Sequence, residues 1–128
     1  MLTTFSETDI GRKRKVNQDY VYASAQPVGV LPNLFIVADG MGGHNAGDYA
    51  SKSTVETIIK EVENTHEKYP NRILDDAIKK ANHHIIELAE NCEELNGMGT
   101  TVVAATIDGS ELVVANVGDS RLYVLDGE

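Results

Sequence analysis

With 128 residues, 41% of them hydrophobic, the chain is long enough for one domain, or part of one, with a real core. Twenty acidic against eleven basic side chains leave a formal net charge of −9, which argues against non-specific binding to nucleic acid or to acidic membranes. One cysteine, Cys92, rules out an internal disulfide, and neither a signal-peptide run nor a bilayer-length apolar run is present, so the expectation is a soluble, cytoplasmic protein.

In chain order, Leu2 to Ile10 mix Thr, Phe and Ile with polar residues before Gly11 and predict a strand followed by a loop. That loop carries the one basic cluster, Arg12-Lys13-Arg14-Lys15, which reads either as a solvated turn or as a site for an anion. Asp19 to Ser24 predict a short strand, and Gln26 to Pro32, with two prolines and a glycine, a connecting loop.

The stretch NLFIVADGMGG, Asn33 to Gly43, organises the rest. Leu34 to Ala38 form an unbroken apolar run that predicts a strand buried on both faces, with Asp39 at its end. A carboxylate there is costly unless it is paired or coordinated. The following Gly40, Met41, Gly42 and Gly43 allow a sharp turn and a close backbone approach, as in a site for a hard cation or a phosphate, although Asp-Gly pairs also simply begin turns. The segment has neither the G-x-G-x-x-G spacing nor the Gly-Lys-Ser/Thr of a P-loop. If an antiparallel pair joins Asp19 to Ser24 with Leu34 to Ala38, Asp19 and Asp39 come to one edge of a sheet.

From Ala46 the period changes. Val55, Ile58, Ile59 and Val62 predict an amphipathic helix to about Asn64, and Leu74, Ala77, Ile78, Ala81, Ile85 and Leu88 predict a second from Pro70 to about Asn91. Two such helices form an antiparallel pair on one face of a sheet. Cys92, near the end of that pattern, reads as a packed thiol and not a nucleophile. His83 and His84 are adjacent and so do not share a helix face, which makes them ordinary helix residues; His66 falls in a loop. Beyond Asn96-Gly97, Thr101 to Ile107 and Glu111 to Val117 flank Asp108-Gly109-Ser110 and predict a β-hairpin. Val117-Gly118-Asp119-Ser120-Arg121 interrupts the period and Leu122 to Leu125 resume it, ahead of an Asp126-Gly127 turn with no returning strand.

Three aspartates, Asp19, Asp39 and Asp119, stand at strand ends beside polar or glycine-containing breaks. Oxygen-only ligands suit Mg²⁺ or Mn²⁺, and no Cys/His cluster competes.

Four stretches in order, TDIGRKRKVNQD (Thr8 to Asp19), VADGMGGHNAGD (Val37 to Asp48), GMGTTVV (Gly97 to Val103) and VGDSRLY (Val117 to Tyr123), resemble the PP2C family of metal-dependent protein serine/threonine phosphatases, in its compact bacterial branch. The resemblance covers essentially this whole chain and about the first half of a family domain. It implies an α+β fold, half of an αββα sandwich of antiparallel sheets, over residues 1 to 128. It also implies a catalytic set of Arg14, Asp19 and Asp39, with Asp39 bridging two Mn²⁺ or Mg²⁺ ions, the Gly40 carbonyl ligating one, and Asp19 supporting the metal-bound waters. Asp119 matches the position for a third metal, Arg14 the clamp on the substrate phosphate, and His44 a substrate contact near the phosphate. The animal branch places a histidine directly after the Asp-Gly pair; here Met41 stands there. The implied partners are phosphorylated proteins, with no nucleic acid and no membrane.

The family's further metal-ligand aspartates and its substrate flap belong to a second half that does not follow here, so this piece alone is expected to be weakly active or inactive, to expose apolar sheet surface and to self-associate through a sheet edge. Two other readings stand beside the phosphatase: a phosphopeptide-binding or regulatory half-domain without turnover, and a fragment that completes a domain with another chain.

Overall fold

The computed structural model describes residues 19–43 and 46–117. Four antiparallel strands, β1 (Asp19–Ser24), β2 (Leu34–Met41), β3 (Gly99–Asp108) and β4 (Glu111–Val117), form one sheet in the order β1-β2-β3-β4. Between β2 and β3 run two helices, α1 (Ala46–Asn64) and α2 (Pro70–Asn91), and a single 3-10 turn at Glu93–Leu95. The expected strand at Leu2 to Ile10, the basic cluster and the run Leu122 to Leu125 lie outside the described residues.

Both helices begin and end where the periodicity places them. Pro70 opens α2 at its first turn, where a missing N–H removes nothing. The Tyr69 carbonyl accepts from Arg72 N at 3.0 Å and Ile73 N at 2.9 Å. Their apolar stripes close on one face of the sheet. Val55, Ile58 and Val62 of α1, with Leu74, Ile78 and Ala81 of α2, meet Leu34, Ile36 and Ala38 of β2 and Val102 and Ala104 of β3 in one buried cluster. A smaller cluster of Ala46, Ala50, Ile85 and Met98 packs the end of the sheet nearest the Gly42 turn.

Two expectations need correction. β2 does not stop at Ala38: Asp39, Gly40 and Met41 stay in the ladder opposite Thr101, Thr100 and Gly99, so Asp39 is inside the strand and the turn begins at Gly42. Nor is β2 buried on both faces. Leu34, Ile36 and Ala38 face the helices, whereas Val37 is 48% and Met41 54% exposed on the other side. The reason is that the helices cover one face only, and period-two alternation sends every second side chain to the opposite one. Leu112 and Val114 of β4 are exposed on that same open face. All described strands belong to one sheet.

Register between β2 and β3 is locked at the end far from Asp39. The buried Asn33 side chain imitates one more strand residue: its Oδ1 accepts from Ile107 N at 2.7 Å and its Nδ2 donates to Ile107 O at 2.8 Å. The Thr106 hydroxyl donates to the Asn33 carbonyl at 2.8 Å. Because a one-residue slip would send every side chain to the wrong face, this clamp helps fix which residue lies opposite Asp39.

Candidate metal centre

Asp19 is the first residue of β1 and its direct cross-strand partner is Asp39. Paired residues of an antiparallel ladder project to the same face, with Cβ atoms about 4.5–5.5 Å apart. Tyr20 and Tyr22 pack against the helix-side core, so the alternation puts Asp19 and Asp39 on the open face. Both are partly buried, and Asp19 Oδ1 is shielded from solvent. Two carboxylates held at one register position repel, and a divalent cation shared between them reverses that cost.

On the other side of Asp39 stands Thr101, whose hydroxyl faces the Asp39 carbonyl at 3.5 Å. Thr101 is 8% exposed, so the strand carrying Asp39 is flanked by a carboxylate on β1 and a buried hydroxyl on β3. The sequence reading gave Thr101 no role; the pointer to it was its place in GMGTTVV.

Gly40 follows within β2, opposite Thr100 and one residue beyond the partner of Asp19. The turn after it depends on Gly42, at φ +150°, where an added Cβ would stand 2.9 Å from Ala46 Cβ and 3.1 Å from Gly47 N. Only a residue without a side chain lets the chain pass this close to the start of α1. Ala46 N then donates to the Gly43 carbonyl at 2.9 Å.

The donors present fit a hard cation: two carboxylates and a neighbouring backbone carbonyl, with no sulfur or imidazole. Among the described residues no group of three or more His, Cys, Asp or Glu side chains is placed to hold a metal. Arg14, His44 and Asp119 lie outside the described residues. Cys92 is half-buried just past the last residue of α2, so it caps the helix and does not fill the core as expected. His83 and His84 are exposed on α2, where His83 Nε2 meets Glu87 Oε1 at 3.2 Å. The groove of about 550 Å³ between the outer faces of α1 and α2 is lined by charged side chains, including the Lys80–Glu61 ion pair at 3.0 Å, and is remote from the carboxylates.

The sequence pattern of the protein phosphatase 2C family matches residues 10–128. The chain belongs to this family. It is 40% identical over 125 residues to the putative protein phosphatase 2C-type of Streptococcus pyogenes, covering 94% of this chain and 50% of that protein. Serine/threonine phosphatase Stp1 from Staphylococcus aureus superposes with a TM-score of 0.80 at 34% identity, over 94% of this chain and 48% of the other. The catalytic domain of the serine/threonine protein phosphatase PstP, solved in complex with two manganese ions, superposes with a TM-score of 0.75 at 34% identity, over 90% of this chain and 47% of that one. The α+β fold is therefore that of about half a protein phosphatase 2C domain, and the chain spans about half the length of the curated relatives it matches.

Proposed function

We propose that residues 1 to 128 are the N-terminal portion of a single phosphatase domain whose complete form hydrolyses phosphoserine and phosphothreonine in proteins with Mn²⁺ or Mg²⁺. The observation that carries this reading is the Asp19–Asp39 pairing, which sets two carboxylates on one face of adjacent strands. Support comes from the names of the relatives and from the two manganese ions in the PstP structure.

In this reading Asp39 and the Gly40 carbonyl would hold the divalent ions, and Asp19 would orient water at the site. Arg14 supplies the forked guanidinium that matches two phosphate oxygens. Asp119 adds a ligand for a third ion, and His44 contacts substrate beside the phosphate. A bound divalent ion supplies acidity to water and offsets charge on the transferring phosphoryl group, so no protein nucleophile is needed. That agrees with the reading of Cys92 as a half-buried residue at the C-terminal end of α2 and not a nucleophile.

The partners in this reading are phosphorylated proteins in the cytoplasm, and it assigns no role to nucleic acid or membrane. No helix among the described residues is long and apolar enough to cross a membrane. The 128-residue chain by itself is weakly active or inactive, and its open sheet face and edge favour self-association. Manganese-dependent hydrolysis of p-nitrophenyl phosphate by this chain and by the full-length protein tests the reading. Turnover by the longer protein alone supports it; full turnover by the short chain contradicts the incompleteness, and none by either contradicts the activity.

A further inference from the structure

A slot of about 10 Å³ lies between α1, α2, β3 and the end of β4, walled by Thr54, Ile78, Asn82, Thr100, Val102 and Val117. Thr54 is 2% exposed, and its Oγ1 is buried with no hydrogen-bond partner among the described residues. Its neighbour behaves differently: Thr57 Oγ1 donates to the Ser53 carbonyl one turn back, at 2.7 Å. A buried hydroxyl left unmet carries its full desolvation cost, so an unfilled slot would be a defect at the margin of the helix–sheet interface, where Asn82 and Val117 reach the surface.

The slot has the dimensions and chemistry of a water site. One water needs roughly 10–15 Å³ and two to four polar partners. Three of the six wall residues are polar. Thr100 Oγ1 already donates its proton to the Thr101 carbonyl at 2.8 Å, so it can only accept from a group in the slot. Thr54 retains a proton to give, and the Asn82 amide can do either.

We infer that the slot binds one ordered water, which accepts from the Thr54 hydroxyl, donates to Thr100 Oγ1 and takes Asn82 as its third partner. This water ties both helices to β3 at Thr100, the cross-strand partner of Gly40. The inference stands whether or not the phosphatase reading holds.

Thr54→Val keeps the shape and removes the hydroxyl. In the full-length protein it is expected to lower Tm by about 2–4 °C, because the water loses a partner. An unhydrated slot predicts the opposite sign, since Val would then relieve an unmet hydroxyl. A crystal structure that resolves ordered solvent supplies the second measurement: a peak within hydrogen-bonding distance of Thr54 Oγ1 and Thr100 Oγ1 in the parent protein, lost in Thr54→Val. An unchanged or raised Tm, or no such peak in the parent, overturns the inference.

Discussion

Asp19 and Asp39 face each other directly across β1 and β2, two carboxylates at one register position on the sheet face that the helices leave open. Like charges directly opposite each other in a ladder repel, and a divalent cation is one group that offsets this. Asp39→Asn removes one of the two formal charges with little change of volume. If Asp39 holds the metal as proposed, this change in the full-length protein should cut manganese-dependent turnover by more than about 100-fold. Rates within a few-fold of the parent in a phosphate-release assay would remove Asp39 from that role.

Stability should be most sensitive at the clamp that sets the register. Asn33→Ala deletes both hydrogen bonds to Ile107 and leaves that backbone N–H unmet in a part-buried site. The expected loss is about 2–3 kcal/mol by urea unfolding. A loss under about 0.5 kcal/mol would mean that the ladder itself sets the register.

Gly42→Ala brings a Cβ to 2.9 Å from Ala46 Cβ at a backbone angle that side chains rarely adopt. The turn or the start of α1 must shift, at a cost of about 1–3 kcal/mol. Since Gly42 follows Asp39 by three residues, turnover should fall with Tm in the same variant. A stable variant with parent activity would show that the turn is not part of the site.

One carboxylate makes a signed pH prediction. Glu67 Oε1 accepts from the backbone N–H groups of Lys68 and Tyr69 at 2.9 and 3.3 Å. The Lys68 N–H, then that of Tyr69, hold its pKa below the ordinary glutamate value of 4.5. A carboxylate with a depressed folded pKa contributes stability above its unfolded value and loses that contribution as pH falls through the folded one. The Tm gap between parent and Glu67→Gln should therefore be present at neutral pH and shrink as pH drops below 4.5. A gap that grows on acidification would contradict this.

His84→Ala changes an exposed helix side chain and should alter stability by less than about 0.5 kcal/mol and leave turnover intact. Thermal melts and phosphate release check both; a large loss of either would assign His84 a role that its place on α2 does not suggest.

The parts of the fold that were legible are those set by local pattern. The apolar spacing of Val55, Ile58 and Val62 gave α1, Pro70 marked the start of α2, and the Asp108-Gly109-Ser110 turn marked the β3–β4 hairpin. The juxtaposition of Asp19 with Asp39 followed from assuming an antiparallel pair, and the ladder has that register. What was misread depends on distant pairing. Gly40 and Met41 look like turn residues, yet Thr100 and Gly99, beyond both helices, hold them in the strand. The Asn33 clamp, the placement of Thr101 beside Asp39 and the Thr54 slot depend on contacts between segments far apart in the chain, and local periodicity carries no trace of them.

A manganese soak of full-length crystals, read by anomalous scattering, tests the carboxylate pair most directly. The account predicts a peak beside Asp39, on the sheet face that the helices leave open, that disappears in Asp39→Asn. Manganese bound elsewhere in the protein with no peak beside Asp39 would contradict it.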